Sequence, residues 1–181
     1  MKNIIRLSFL VVVIGFSMVL NSCNQDVPFK FTYTLDPYAF TCPAMPFDGT
    51  EKVFGDTVIT RDIEAELNQY GASLQNVTSM KLKAITLNIT STGATFDGID
   101  YLTSYINSTG LPETKLAYKT SIPQTGLTSI SMDNNYSELV DFIQADTFKV
   151  NVKGYNTVDF PNPTDMTVQV SFDISGMVPA K

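Results

Sequence analysis

Residues 166–175 read MTVQVSFDIS, an unbroken alternation of apolar and polar side chains. Because successive side chains of a β-strand point to opposite faces, this alternation predicts a strand with one apolar and one polar face. Residues 29–36 (FKFTYTLD) and 148–153 (FKVNVK) alternate in the same way. Strands of this kind are typical of antiparallel sheets whose outer face meets water. The three stretches therefore predict antiparallel sheet as the basis of the fold.

The stretch 80–90 departs from strict alternation at one point. Apolar residues occupy even positions from Met80 to Ala84 and odd positions from Ile85 to Ile89. One extra residue in a strand changes the parity while the same face stays buried. We therefore expect a β-bulge near Lys83–Ile85, or else a strand that crosses from one sheet to the other.

The rest of the chain supplies shorter elements. A turn is expected at 107–112, and weaker strands at about 52–59, 102–108, 114–121 and 127–132. Residues 61–70 predict a short helix, with Thr60 as N-cap and Gly71 at its end. Residues 135–144 predict a second helix, in which Asn135 and Glu138 have the spacing of a capping box.

These elements together indicate the fold class. About eight strands and two short connecting helices, without a regular alternation of strand and helix, predict an all-β protein. The expected architecture is an antiparallel β-sandwich, either immunoglobulin-like or jelly-roll-like. Residues 29–181 are enough for a single domain that buries its own core.

Composition excludes several classes of function. The chain has 181 residues, 12 Lys and Arg, 18 Asp and Glu, and a net charge of −6. It has no dense basic stripe, so we expect no nucleic acid among its partners. It contains no His. The usual Ser-His-Asp and Cys-His mechanisms are therefore excluded, and the commonest metal ligand is missing.

The N-terminal residues form a targeting segment. Lys2 and Arg6 precede residues 7–20, which are almost wholly apolar but too few for the roughly 20 that span a bilayer as a helix. The sequence Leu20-Asn-Ser-Cys23 follows and resembles the lipobox of bacterial lipoproteins. This resemblance implies a signal peptide at 1–22, palmitate and diacylglycerol on Cys23, and a tether at 23–28. Two or more acyl chains would hold the domain stably to a membrane.

The whole pattern is similar to that of the small lipid-anchored β-sandwich proteins of gut-commensal-type Gram-negative bacteria. The similarity implies attachment to the outer membrane, facing either the periplasm or the cell surface. Once Cys23 carries lipid, Cys42 has no disulfide partner. Because no His is present to activate it, we expect Cys42 to be a buried structural residue.

Two aromatic segments are candidate ligand-binding sites. Residues 37–47 are expected to form a proline-stiffened loop that contains Tyr38, Phe40 and Phe47. Such a loop at one end of a sandwich suits stacking on a sugar or anchoring a partner, whereas the alternative, which we expect, is that it covers the core. The loop 154–165 combines Tyr155 and Phe160 with Asn156 and Asn162, as a sugar site would. A purely structural role is again the expected alternative.

Acidic residues offer weaker candidates. The segments 97–100 (DGID) and 133–135 (DNN) supply oxygen ligands but lack the spacing of an EF-hand loop, and Asp and Asn also favour turns. We therefore predict no metal and no cofactor. Paired carboxylates could serve glycoside hydrolysis, but the acids are scattered along the chain and no pair stands out.

We expect a non-enzymatic, lipid-anchored envelope protein with a role in adhesion, ligand capture or assembly. Its partners would be the membrane, through Cys23, and a glycan or protein ligand. One alternative is a carbohydrate-binding accessory lipoprotein of a glycan-uptake system. A second alternative is a carboxylate-based hydrolase. An exposed cluster of aromatic side chains would favour the first alternative, and two carboxyls facing each other across a cleft would favour the second.

Overall fold

The computed structural model describes residues 25–180. The predicted signal peptide and Cys23 lie outside these residues. The strands are β1 (Val27–Thr34), β2 (Tyr38–Cys42), β3 (Lys52–Thr60), β4 (Val77–Ile89), β5 (Ile99–Ser108), β6 (Leu111–Lys119), β7 (Ser129–Ser131), β8 (Asp133–Asn134), β9 (Thr147–Asn156) and β10 (Thr164–Val178). Two short α-helices, Glu64–Gln69 and Val140–Ile143, and a 3-10 helix, Leu74–Asn76, connect them.

The strands form two five-stranded antiparallel sheets. The first sheet has the order β1-β10-β4-β7, with β2 also paired to β10. The second sheet has the order β3-β9-β5-β6-β8. The prediction of an all-β antiparallel sandwich with two short helices is confirmed. Two of the shorter strands, β2 and β8, are additional to the predicted set.

The core lies between the sheets and follows the predicted alternation. Phe172 of β10 and Phe148 of β9 are buried, and their rings meet edge to face with centroids 6.3 Å apart. Val168 and Val170 are buried on the same face of β10, while Gln169 between them is exposed. The predicted strand phase is therefore confirmed where the two sheets pack.

The predicted bulge lies in β4. Ala84 is opposite Ser171 of β10, and the next paired residue, Leu82, is opposite Phe172. Lys83 is therefore the extra residue. The bulge keeps the apolar side chains on both sides of it in the core, because Leu82 and Ile85 are both buried.

The first helix is shorter than predicted. It spans Glu64–Gln69, and Ile63, not Thr60, is its N-cap. Thr60 is still the last residue of β3, so it cannot cap the helix. Gly71 ends the helix in the left-handed region, at φ 65°, as expected. Ile63 and Leu67 are buried as the predicted apolar face.

The second predicted helix was wrong over its first half. Only Val140–Ile143 are helical. Glu138 instead forms a β-bridge with Lys81, and the Leu139 N–H donates to the Met80 carbonyl over 2.8 Å. The segment thus adds to the edge of β4. This pairing and the burial of Leu139 override the local capping signal.

Three loop assignments also change. The predicted loop 154–165 is shorter, because residues 154–156 end β9 and residues 164–165 begin β10, and Asn156 is buried. The segment 37–47 was predicted as a loop, but Tyr38–Cys42 form β2 because their backbone pairs with Thr164–Val168 of β10. Val27 and Pro28, expected in the tether, belong to β1, opposite Val178 and Met177. Among residues 25–180 no helix is both long and apolar enough to span a bilayer.

Candidate functional site

Tyr38 and Phe40 cover the core. They lie directly opposite the buried Val168 and Met166, so their side chains share the inner face of the first sheet. Both are half-buried and pack against the core. The Phe40 ring lies over Gly55 of β3, where an added Cβ would come within 2.0 Å of Phe40 Cδ2. Glycine at this position lets the ring close the edge between the two sheets.

Phe160 belongs to the core as well. Only 9% of its surface is exposed, and its ring meets Phe54 edge to face at 6.3 Å. Its backbone pairs with Met45, which holds residues 43–47 against the loop after β9. Phe160 is therefore unavailable to a ligand in this arrangement.

Phe47 and Tyr155, which the sequence placed in separate segments, meet on the outer face of the second sheet. Phe47 is 48% exposed, and its ring meets Tyr155 edge to face at 6.1 Å. Tyr101 also stacks on Tyr155, with centroids 6.0 Å apart and ring planes 5° from parallel. We call Phe47, Tyr155 and Tyr101 the aromatic row.

Two sets of backbone contacts fix the positions of the rings in the aromatic row: the pairing of β5 with β9, and a hydrogen bond from Phe47. Tyr101 and Tyr155 are opposite each other on β5 and β9, so their rings emerge side by side. The Phe47 N–H donates to Asp159 Oδ1 over 2.7 Å, and this ties its segment to the loop after β9. The turn that follows Phe47 passes close to the Tyr155 hydroxyl at Gly49, where φ is 74°. The rings are thus arranged before any ligand arrives.

Hydrogen-bonding groups lie beside the row on the same face. Lys153 is two residues from Tyr155 on β9, and its Nζ is 2.9 Å from Glu113 Oε2. Asn151 Nδ2 donates to Glu113 Oε1 over 2.9 Å. We call Lys153, Glu113 and Asn151 the polar cluster. Lys153 also lies over the ring of Tyr105, 4.6 Å from its centroid.

Electrostatics keep the groups of the site in defined protonation states. The hydrogen bonds from Lys153 and then Asn151 lower the pKa of Glu113, and the same contact with Glu113 raises the pKa of Lys153. Both groups are therefore charged at neutral pH. Burial, followed by the charge of Glu51, raises the pKa of Tyr101. Its hydroxyl stays protonated and donates to Glu51 Oε1 over 3.3 Å.

The sequence did not single out Tyr101 or Tyr105, although a signal was present. Tyr101, Thr103 and Tyr105 alternate with Leu102, Ser104 and Ile106 along β5. Because side chains alternate between the two faces of a strand, both tyrosines lie on the face opposite the core. Tyr118 of β6 lies opposite Thr103 and shares that face.

The acidic segments are engaged within the fold. Asp97 Oδ1 accepts a hydrogen bond from the Gly126 N–H over 3.0 Å. Asp133 pairs with Lys119 at 3.4 Å. In the part of the chain that the structure describes, no group of three or more His, Cys, Asp or Glu side chains is arranged to hold a metal ion.

Comparison with known proteins gives only distant likenesses. No family model matches the chain, and no curated protein matches it. Among solved structures, one of the infectious bursal disease virus Gt strain matches with a TM-score of 0.36 and 14% identity, over 83% of this chain and 33% of that one. The chain therefore spans about a third of that protein's length. A structure of Desmodium yellow mottle tymovirus matches with a TM-score of 0.26 and 13% identity, over 87% and 91% of the two chains. Turnip yellow mosaic virus matches with a TM-score of 0.26 and 10% identity, over 87% and 84%. Similarities at this level carry no information on function.

Proposed function

We propose that the protein is a non-enzymatic, lipid-anchored envelope protein that captures a saccharide chain on the aromatic row. The observation that carries the proposal is the row itself: three aromatic rings in contact on an outer sheet face, of which Phe47 is half exposed. Aromatic side chains on a surface are costly to leave in water and often mark contact sites. This function combines the expected ligand-capture role with the carbohydrate-binding alternative.

The chemistry of the face suits a sugar. A pyranose ring offers C–H groups on its two faces and hydroxyls around its rim. Its C–H face would pack on the rings of the aromatic row, Tyr101 and Tyr155 among them, since aromatic rings combine a large apolar area with few rotatable bonds. Its hydroxyls would reach the polar cluster, where Glu113 accepts and Lys153 donates. A sugar-binding site needs both kinds of contact within a few ångströms.

Other features favour binding without reaction. The Cys42 thiol is buried, and burial raises its pKa to about 11, so it is a poor nucleophile at neutral pH. The chain has no His to act as a general base. Its net charge of −6 disfavours nucleic acid as the ligand that stacks on these rings.

The experiment is binding of the full-length protein, in a neutral detergent, to an array of neutral polysaccharides. We expect the Tyr101→Ala, Tyr155→Ala double variant to lose at least about fivefold in affinity, since two stacking contacts of about 0.5–1.5 kcal/mol each are removed. Tyr70→Ala is the matched control, because Tyr70 is also exposed and stacked but lies against β1 of the first sheet.

The melting temperatures of the variants separate binding from folding. The proposal requires that the double variant keeps a cooperative transition while its retention falls, and that Tyr70→Ala is retained like the wild type. Equal retention of the double variant, or no retention of the wild type on any neutral polysaccharide, would contradict it.

A further inference from the structure

A groove of about 350 Å³ lies on the outer face of the first sheet, on the opposite side of the sandwich from the aromatic row. Its lining includes Lys30, Lys81, Lys83, Ser175 and Tyr136. The volume is within the range of about 300–1,000 Å³ that is usual for small-molecule sites. The groove therefore has room for a ligand of monosaccharide size or larger.

Strand register brings two of these lysines to opposite sides of β10. Lys30 of β1 is opposite Ser175, and Lys81 of β4 is opposite Asp173 two residues away. Opposite residues in an antiparallel pair project from the same face. Both ammonium groups therefore extend over β10, with the Ser175 hydroxyl between their strands.

These two lysines lack the ion pairs that other basic side chains make. Six basic residues lie within 4.0 Å of a carboxylate oxygen: Lys52, Arg61, Lys83, Lys119, Lys149 and Lys153. Lys115 lies over the Tyr118 ring. Within residues 25–180, Lys30 and Lys81 have no such partner. In a chain of net charge −6, two unpaired ammonium groups on one groove favour an anionic ligand.

The acids near the groove are already engaged. Asp173 Oδ1 accepts a hydrogen bond from Thr32 over 2.9 Å and lies 3.8 Å from Lys83 Nζ. The Glu138 carboxylate accepts from the Ser79 hydroxyl and from the Met80 N–H, each over 2.7 Å. Neither carboxylate lies within ion-pair distance of Lys30 or Lys81, although Asp173 itself lines the groove and the charge of Lys81 contributes to the lowered pKa of Glu138. The three lysines outnumber these two acids, so the groove keeps a net positive charge.

An aromatic ring stands at the rim of the groove. Tyr136 is 77% exposed, and its backbone is in the left-handed region, at φ 56°. Its N–H donates to Asn134 Oδ1 over 2.6 Å, and Asn134 Nδ2 in turn donates to the Leu82 carbonyl. A non-glycine residue in this conformation is strained. The hydrogen bonds of Asn134 hold this turn, and the Tyr136 ring lies in water, where it gains little burial from the protein.

We infer that this groove binds an anionic saccharide residue. Lys30 and Lys81 bind its carboxylate or sulfate group, and Tyr136 stacks on its ring. The site is independent of the aromatic row because the two lie on the outer faces of different sheets. The inference would stand even if the row bound no sugar, since no residue is shared.

The test measures binding of three oligosaccharides to the full-length protein in neutral detergent: hexagalacturonate, sulfated maltohexaose and unmodified maltohexaose. We expect at least one anionic probe to bind at least tenfold more tightly than maltohexaose to this groove, with an affinity that falls as salt is raised. The two anionic probes distinguish a carboxylate from a sulfate ester.

Variants locate the binding. Lys30→Gln with Lys81→Gln should lower the affinity for the anionic probe at least tenfold. Lys119→Gln with Lys149→Gln removes the same amount of charge from the second sheet. This control should change the affinity for the anionic probe less than twofold. Tyr136→Ala should weaken the binding of the anionic oligosaccharide but leave the binding of inorganic sulfate unchanged. The Tyr101→Ala, Tyr155→Ala variant should bind the anionic probe normally, which separates this inference from the proposed function.

Three results would overturn the inference. The first is no preference for the anionic probes over maltohexaose in the Tyr101→Ala, Tyr155→Ala variant, in which the aromatic row is removed. The second is an equal loss in the Lys119/Lys149 control, which would indicate general electrostatic attraction. The third is inorganic sulfate binding as tightly as the sulfated oligosaccharide, which would mean that the ring of Tyr136 has no part in recognition.

Discussion

At the scale of single residues, Cys42 illustrates how burial decides chemistry. The residue ends β2 opposite Thr164 and has no exposed surface. Its Sγ donates a weak hydrogen bond to the Pro43 carbonyl over 3.6 Å. Burial raises the pKa of the thiol to about 11, so the thiolate is rare at neutral pH. The burial that the sequence predicted for Cys42 is confirmed.

A thiol reagent tests this environment. In the Cys23→Ser protein, Cys42 is the remaining cysteine. We expect a disulfide-exchange reagent at pH 8 to leave the folded protein unmodified and to label one thiol per chain in denaturant. Rapid stoichiometric labelling of the folded protein would mean that Cys42 is accessible and that the predicted structural role is wrong.

At the scale of elements, β4 shows which local patterns are decisive. The bulge at Lys83 was predictable because one face of the strand is buried, and a change of parity there requires either an extra residue or a change of sheet. The segment 135–139 was not predictable from its capping pattern. Its Glu138 carboxylate bonds to Ser79 and Met80 of β4, which are distant in sequence. Such a contact competes with a helix cap only once the sheet has formed.

Replacement of Glu138 tests the strength of that docking. Burial raises the pKa of Glu138, but the hydrogen bonds from the Met80 N–H and the Ser79 hydroxyl outweigh it and lower the pKa overall. Because the pKa is lower in the folded state than in the unfolded state, the charged carboxylate stabilises the fold at pH values above the unfolded pKa of about 4.3. This stabilisation is lost as the pH falls through the folded pKa. We expect Glu138→Gln to cost about 1 kcal/mol at pH 7, a low value for a charged hydrogen bond because the residue is exposed.

The pH dependence distinguishes the charge from the side chain's shape. Urea unfolding at pH 7 and at pH 3 should show that the difference between wild type and Glu138→Gln shrinks at the lower pH. Asp141→Asn is the control, because the Asp141 carboxylate is exposed and makes no hydrogen bond or ion pair with the described residues. A difference that is the same at both pH values would argue against the charged hydrogen bonds.

At the scale of the whole molecule, the candidate site depends on strand pairing. Phe47, Tyr155 and Tyr101 come from three separated parts of the chain and meet because β9 lies between β3 and β5. Alternation in sequence predicts which face of a strand a side chain occupies. It does not predict which strands are neighbours or their register, because these follow from contacts far apart in the chain. The fold class was therefore predictable and the row was not.

Also at the scale of the whole molecule, a short segment joins the sandwich to the expected lipid anchor at Cys23. β1 begins at Val27, four residues after Cys23. A fully extended segment of that length reaches at most about 14 Å. A lipid on Cys23 would hold the domain near the membrane surface. Removal of residues 1–22 would take away Lys2 and Arg6 and leave a net charge of −8, which anionic lipids repel. This repulsion would turn the acidic body outward and leave both outer faces open to solvent.

The anchor itself gives the last prediction, since the two cysteines of the chain provide a matched pair of variants. Cys23→Ser should abolish incorporation of labelled palmitate and release the protein from membranes, because two or more acyl chains hold a protein stably and each buried methylene contributes about 0.8 kcal/mol. Cys42→Ser should keep both the label and the membrane fraction, since its thiol is buried in the fold. In a Gram-negative host, density centrifugation should place the labelled protein with the outer membrane. Label or membrane attachment that persists in Cys23→Ser would show that the Leu20-Asn-Ser-Cys23 sequence is not a lipobox.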